Sequence, residues 1–382
     1  MIIVADENIP KVAEWFGRLG SVRTFEGRRI EPDMLREASV LLVRSVTRVD
    51  AGLLDDTPVR FVGSATIGMD HVDTAYLRSR GVHFSFAPGS NATSVAEYVI
   101  AAILALTSEA GEALEGKTMG LVGFGNTGSR VAPRVRALGM HVVASDPPLE
   151  VEGKLPSGLD VTPLDELVER SDVVSLHVPL TEQDPFPTRQ LLDEARLERL
   201  RRGALLINTS RGAVLSTDHL LAALASRPDV KVVLDVWENE PHPDPRLLVR
   251  ASLATPHVAG YSYDGKVRAT AMLYDALLQF LGRGGEPPQP VPAEGIPIAP
   301  SEHPDPVFWA DRLVQRMYDI RADDRRMRRL LGMESRAIGD EFTRLRRDYP
   351  VRREFWNYVL PRTRLTSRLA DLAVHVLGVR VE

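Results

Sequence analysis

Residues Met119–Asp146, MGLVGFGNTGSRVAPRVRALGMHVVASD, read as an apolar strand, a glycine-rich turn, a helix and a second strand ending on an acid. Gly123, Gly125 and Gly128 have Gly-x-Gly-x-x-Gly spacing, and Asp146 follows the last glycine by 18 residues. A bare glycine triplet also marks ordinary strand-to-helix turns; the full order of strand, glycines, helix and acid is what a dinucleotide site requires. The first glycine permits the tight turn, the second lets backbone N–H groups approach a pyrophosphate, and the third allows close helix-to-strand packing. Asn126 and Thr127 complete the turn, and the helix beyond it aims its N-terminal donors and positive dipole end at the phosphates. Asp146 is expected to accept from the adenosine ribose hydroxyls. Pro147 and Pro148 follow it rather than a basic residue, so NAD is expected over NADP. One residue breaks the local rule: Pro133, about two turns into the helix, lacks a donor and would cost roughly 3 kcal/mol or kink it.

At 382 residues the chain exceeds one ordinary core, so two or three domains are expected. Its 44% hydrophobic and 26% charged residues fit a globular protein, and a net charge of -5 implies no general affinity for nucleic acid. The absence of cysteine excludes disulfides, thiolate metal sites and a cysteine nucleophile, and no metal-ligand pattern is expected. MIIVADEN reaches Asp6 and Glu7 before a signal-like core could form, and the apolar run Tyr98–Leu106 is short for a bilayer span, so neither export nor membrane anchoring is expected.

Working outward, short apolar runs alternate with helical patterns on both sides of this stretch. Before it come IIV, SVRTF, VLLVRS, RFVGSA and HFSFA; after it come DVVSLHVPL, GALLINTS, VKVVLDVW and SLATPHVAG. That rhythm predicts an α/β protein with two doubly wound parallel-sheet (Rossmann/flavodoxin-like) domains, whose ligands gather at strand carboxyl ends. Arg44 and Ser45 follow VLLV and Thr66 follows FVGSA, in loops where a small anion could be held. VAEYVIAAILALT reads as a buried helix, and a second helix runs through Val267–Phe280. The expected division is 1–95 with 263–284 as a substrate domain, 96–262 as the NAD-binding domain, 285–306 as a connector and 307–382 as a small C-terminal α+β domain. Eight prolines and four glycines in 282–306 rule out a helix or central strand there. The last segment is expected to open with one long helix through VFWADRLVQRMYDIRADDRRMRRLL. Its 17 arginines and no lysine against 11 acids suit a solvated rim, or arginines that reach a phosphorylated substrate.

Three residues fall at consecutive predicted strand ends: Arg211 after INTS, Glu240 in DVWENEP and His257 in TPHVAGY. Singly they read as a loop arginine, a turn glutamate before Pro241 and a histidine at a strand end. Together they match the needs of 2-hydroxy acid oxidation. A guanidinium grips the substrate carboxylate, an imidazole accepts the hydroxyl proton, and a carboxylate fixes the imidazole tautomer.

NTSRGAVL, LDVWENEP and TPHVAGY, set after VGFGNTG, resemble the signatures of the D-isomer-specific 2-hydroxyacid dehydrogenase family. DENIP, VRSVTRVD, GSATIGMDHVD, APGSNATSVAEYV, YDIRADD and YPVRREF narrow the resemblance to one branch and extend it across essentially the whole chain. The resemblance implies NAD-dependent oxidation of 4-phospho-D-erythronate in pyridoxal 5′-phosphate synthesis by a cytoplasmic homodimer joined through its C-terminal domain. It implies Arg211, Glu240 and His257 as catalytic residues and Ser45, Thr66 and Tyr261 as substrate contacts. Around the cofactor it implies Asp146, Ser175, Asn208, Thr209, Ser210, Asp235 and Gly260. Arg44, beside Ser45, is the nearest candidate counter-charge for a substrate phosphate. Two other functions share these features: phosphoglycerate or another 2-hydroxyacid oxidation, and a non-catalytic NAD-responsive binding protein on the same scaffold.

Overall fold

A computed structural model of the chain describes residues 1–288, 295–301, 303 and 305–382. The chain divides into two units, Met1–Ala92 with Tyr261–Pro292, and Thr93–Gly260 with Ala293–Glu382.

In the first unit β1 (Ile2–Asp6), β2 (Ser21–Phe25), β3 (Val40–Val43), β4 (Phe61–Ser64) and β5 (His83–Phe86) form an all-parallel sheet in the order β2-β1-β3-β4-β5. β3 and β4 are buried at every position, as expected of strands covered on both faces. Helix Tyr263–Phe280 packs Val267, Leu273 and Leu277 into one core with Ile3, Phe16 and Phe61. Between β2 and β3, EPDMLREA holds only a single 3-10 turn, Pro32–Leu35.

The second unit holds β6 (Thr118–Val122), β7 (His141–Ser145), β8 (Asp160–Val161), β9 (Val173–Leu176), β10 (Leu205–Asn208), β11 (Lys231–Leu234) and β12 (Leu253–Ala254). They pair in parallel as β12-β11-β10-β9-β6-β7-β8. The chain builds outward from β6 to β8, then returns to place β9 on the other side of β6. That reversal makes a switch point at the carboxyl ends of β6 and β9, where doubly wound sheets bind ligands. The two-residue β8 has no counterpart in the sequence reading.

Helix Gly128–Ala137 contains Pro133. Pro133 and Ser129, the residue whose carbonyl it leaves without a donor, are both exposed, so the missing bond lies on the solvent side of the helix. Helix Ala92–Ala110 is longer than its apolar run and is apolar enough to cross a membrane, with a mean hydropathy of 1.3, yet 78% of that window is buried within the protein.

The C-terminal segment is not a separate body: Trp309, Leu313, Phe355 and Leu377 share one core with Val99, Ile103 and Leu121 of the NAD-binding region. Its expected long helix is two, Pro306–Met317 and Ile320–Arg328, because the Asp319 side chain accepts from Ala322 N and starts the second. Short strands β13 (Ile296–Pro297), β14 (Tyr358–Leu360) and β15 (Arg380–Val381) form a parallel three-stranded sheet in that order, leaving the proline-bearing β13 on the edge. The rest of the expected connector at 289–294, 302 and 304 lies outside the described residues.

A polar cluster joins this segment to helix Ala92–Ala110. Glu97, 1% exposed, accepts from Phe355 N at 2.8 Å, while Arg352 donates to Ser94 O at 3.1 Å and sits 4.4 Å from the Tyr318 ring centroid. Burial, with Glu354 nearby, pushes the Glu97 carboxyl up to about 8. A carboxyl raised on folding stabilises the fold fully below its unfolded value, and that contribution fades as pH rises towards 8. Glu97→Gln is therefore expected to gain on the wild type by on the order of 1–3 kcal/mol between pH 5 and pH 9. Urea denaturation at both pH values checks this, and parallel pH profiles would contradict it.

Candidate active site

The glycine turn has the close backbone approaches that a dinucleotide site requires. Gly123 has φ +94°, and a Cβ there would sit 2.8 Å from His177 O, so only glycine makes this turn. A Cβ on Gly128 would sit 2.2 Å from Gly123 O, which is the close helix approach expected of the third glycine. Gly125 faces open space, leaving the backbone accessible to a pyrophosphate. Asn126 is exposed and Thr127 half-buried in the same turn. Asp146, at the end of β7, accepts from Phe124 N at 2.7 Å and Leu149 N at 3.1 Å, which fixes its carboxylate beside the turn.

On the other side of the switch point, the Asn208 side chain shapes the next loop. It donates to Arg211 O at 3.0 Å and accepts from Ser210 N and Ser210 Oγ at 3.0 and 2.8 Å. Thr209 Oγ1 lies 3.5 Å from His177 Nδ1. Ser175 is fully buried in β9, paired with Leu121 and Ile207, and its Oγ has no hydrogen-bond partner among the described residues. The residue leaving β9 at the edge is His177, which the sequence reading passed over. Burial pushes its imidazole down to about 3, so it is neutral, and its Nε2 has no hydrogen-bond partner among the described residues.

Arg211, Glu240 and His257 follow the adjacent strands β10, β11 and β12 at their carboxyl ends. Gly212 brings the first two loops together: a Cβ on it would fall 1.9 Å from Trp237 C, so the chain after Arg211 lies directly on the Trp237–Glu238 peptide. Glu240 Oε1 accepts from Trp237 N at 3.0 Å, and its Oε2 lies 2.8 Å from His257 Nδ1. Burial alone would raise the Glu240 carboxyl. The His257 charge and hydrogen bond, Arg346 and the Trp237 N–H together hold it below the usual glutamate value. An ionised carboxylate is acceptor only, so His257 Nδ1–H donates to it, and in the neutral imidazole that tautomer leaves the lone pair on Nε2.

His257 has φ +57°, a conformation held by Asp235. Asp235 O accepts from His257 N at 2.7 Å. The Asp235 carboxylate, 1% exposed, accepts from Thr255 Oγ1 at 2.6 Å, Val258 N at 2.7 Å and Ala259 N at 2.9 Å. Expected from sequence as a cofactor contact, Asp235 turns its carboxylate inward and supports the histidine loop. Gly260 closes that loop, half-buried.

In the first unit, the register Val43↔Ser64 sets Arg44 and Ser45 beside Ala65 and Thr66 at neighbouring strand ends. Ser45 is exposed; Thr66 Oγ1 shares a hydrogen bond with Ser64 Oγ at 2.7 Å, and Ser64 Oγ meets His71 Nε2 at 2.9 Å. Arg44 Nε donates to the fully buried Asp6 carboxylate at 2.9 Å, so part of its charge is compensated within the unit. Lys266 Nζ stands 4.5 Å over the Tyr261 ring.

A doubly wound sheet with a glycine turn at its switch point and an Arg–Glu–His set on adjacent strand ends defines a nicotinamide-dependent dehydrogenase. Residues 99–259 match the NAD-binding domain of D-isomer-specific 2-hydroxyacid dehydrogenases, and 308–373 match a domain of unknown function. An erythronate-4-phosphate dehydrogenase from Salinibacter ruber is 48% identical, with 100% of this chain and 99% of that protein aligned. A protein of solved structure from Thermus thermophilus superposes with a TM-score of 0.62 at 28% identity, over 76% of this chain and 100% of its own. An NAD-dependent formate dehydrogenase from Staphylococcus aureus, solved with NAD, gives 0.59 at 25% identity, over 74% and 96%. The chain belongs to the D-isomer-specific 2-hydroxyacid dehydrogenase family, and NAD is its cofactor.

Asp235→Asn places an amide N–H against one of three donors at a buried site. A loss of about 1–3 kcal/mol is expected, read as a lower urea midpoint. An unchanged midpoint would show that the carboxylate does not hold the loop.

Proposed function

We propose that the chain oxidises C2 of 4-phospho-D-erythronate to 2-oxo-3-hydroxy-4-phosphobutanoate, a step in pyridoxal 5′-phosphate synthesis, as a cytoplasmic homodimer joined through its C-terminal segment. The observation that carries the chemistry is the 2.8 Å contact between Glu240 Oε2 and His257 Nδ1. The substrate is supported by alignment over the whole chain with a relative named for erythronate 4-phosphate. Exposed Leu331 and Met333 in the C-terminal segment suit an association surface.

Bound NAD supplies the hydride acceptor. Arg211 grips the substrate carboxylate through its guanidinium, which fixes C2 and draws electron density from it. His257 Nε2 accepts the C2 hydroxyl proton as the C–H bond breaks, and Glu240 stabilises the resulting imidazolium through Nδ1–H. Ser45, Thr66 and Tyr261 contact the substrate, and Arg44 contributes the charge it does not share with Asp6 to the phosphate end. Gly123, Gly125, Asn126, Thr127, Gly128 and Asp146 hold the pyrophosphate and adenosine ribose; Asn208, Thr209, Ser210 and Gly260 line the path to the nicotinamide.

Absorbance at 340 nm with NAD tests this reading. Turnover of 4-phospho-D-erythronate should exceed that of 3-phosphoglycerate by at least about 100-fold in kcat/KM, the scale of discrimination set by mismatched polar groups. Preference for 3-phosphoglycerate would transfer the site to the other dehydrogenase function. Binding of NAD with turnover of neither would leave a non-catalytic sensor.

A further inference from the structure

Helix Ser335–Arg347 lies in the segment matched to a domain of unknown function, yet its last turn stands at the proton-transfer pair. Arg346 Nη1 is 4.0 Å from Glu240 Oε2, the same oxygen that meets His257 Nδ1. Ile338 and Phe342 anchor the helix in one core with Trp237, Leu247 and Leu248. A Cβ on Gly339 would fall 2.5 Å from His242 Nε2, so a glycine lets the helix lie this close to the turn that follows Glu240.

The same segment holds the histidine loop from both ends. Asp324 Oδ1 accepts from Ala254 N at 2.8 Å before it, and Arg352 Nη2 donates to Ala259 O at 2.5 Å after it. Arg328 adds bonds to Leu248 O at 3.1 Å and Ala251 O at 2.7 Å. The other arginines of helix Ser335–Arg347, Arg336, Arg344 and Arg347, pair instead with Glu334, Glu341 and Asp348. Arg346 is therefore the arginine of this helix that faces the reacting groups.

We propose that Arg346 is a positioning residue for hydride transfer, holding the Glu240 carboxylate against His257 Nδ1, and that through it the C-terminal segment takes part in the reaction. This rests on the reading of Glu240 and His257 as the proton-transfer pair. Among the described residues, the titratable and charged groups facing Glu240 are His257, from the loop after β12, and Arg346, from the C-terminal helix, with the Trp237 N–H beside them. Burial favours a neutral Glu240, and a protonated Glu240 no longer presents two acceptor oxygens to the imidazole. The guanidinium opposes that protonation, so activity is lost only at lower pH. Without Arg346, Glu240 takes up its proton at higher pH and the acidic limb moves up with it.

The test compares full-length Arg346→Ala, Arg346→Lys and His257→Ala in kcat and KM from about pH 5 to pH 9, with NAD affinity measured by fluorescence titration. Arg346→Ala is expected to lower kcat about tenfold, shift the acidic limb upward by about half to one pH unit and leave NAD affinity unchanged; Arg346→Lys restores the limb. An inactive His257→Ala beside an Arg346→Ala with unaltered kcat and acidic limb overturns the role of Arg346 alone. A loss in Arg346→Ala that the lysine does not restore, with no shift of the limb, overturns it too. Full turnover in His257→Ala overturns the proton-transfer reading and the Arg346 inference together.

Discussion

The buried Asp235 carboxylate is the constraint on which the site depends. It collects one hydroxyl and two backbone N–H groups from the chain between Thr255 and Ala259, and its own carbonyl takes the His257 N–H. A histidine with positive φ is costly unless its surroundings over-determine it. Four hydrogen bonds to one residue at the end of β11 do that. The imidazole then meets a carboxylate delivered by the same strand's loop, with a fixed tautomer. Tyr98 extends the network, meeting Thr255 Oγ1 at 2.7 Å from the long helix behind the sheet.

The parallel sheet turns this local arrangement into a site. Because β10, β11 and β12 run side by side in one direction, three residues far apart in sequence emerge at one edge. The glycine turn emerges at the same edge across the switch point. The C-terminal segment contributes by a different route. It shares the core of the NAD-binding region, supports the histidine loop from both ends, and brings a guanidinium to the catalytic carboxylate.

Much of this was legible in the sequence, for physical reasons. The glycine turn declares itself because close approach leaves no alternative residue at Gly123 or Gly128. Strands β3, β4, β9 and β10 read as apolar runs because they are buried at every position, with both faces covered. Arg211, Glu240 and His257 were readable because each follows such a run. What stayed hidden depends on direction and distance. Whether Ser175 sits at a strand end or one residue inside it is a matter of register. That Asp235 points inward, and that Arg44 is tied to Asp6, depends on partners no local pattern names. Arg346 was one arginine among 17 until the packing of Ile338 and Phe342 set the face of its helix. The break at Asp319 carried a local signal, an N-capping acid, that helical periodicity on both sides outweighed.

The central claim is that Glu240 and His257 act as one proton-transferring unit. A double-mutant cycle on NAD reduction tests it most directly, using Glu240→Gln, His257→Ala and both together. The account predicts that the double variant turns over no more slowly than His257→Ala alone, because the glutamate acts only through the imidazole. Losses that multiply independently would contradict it.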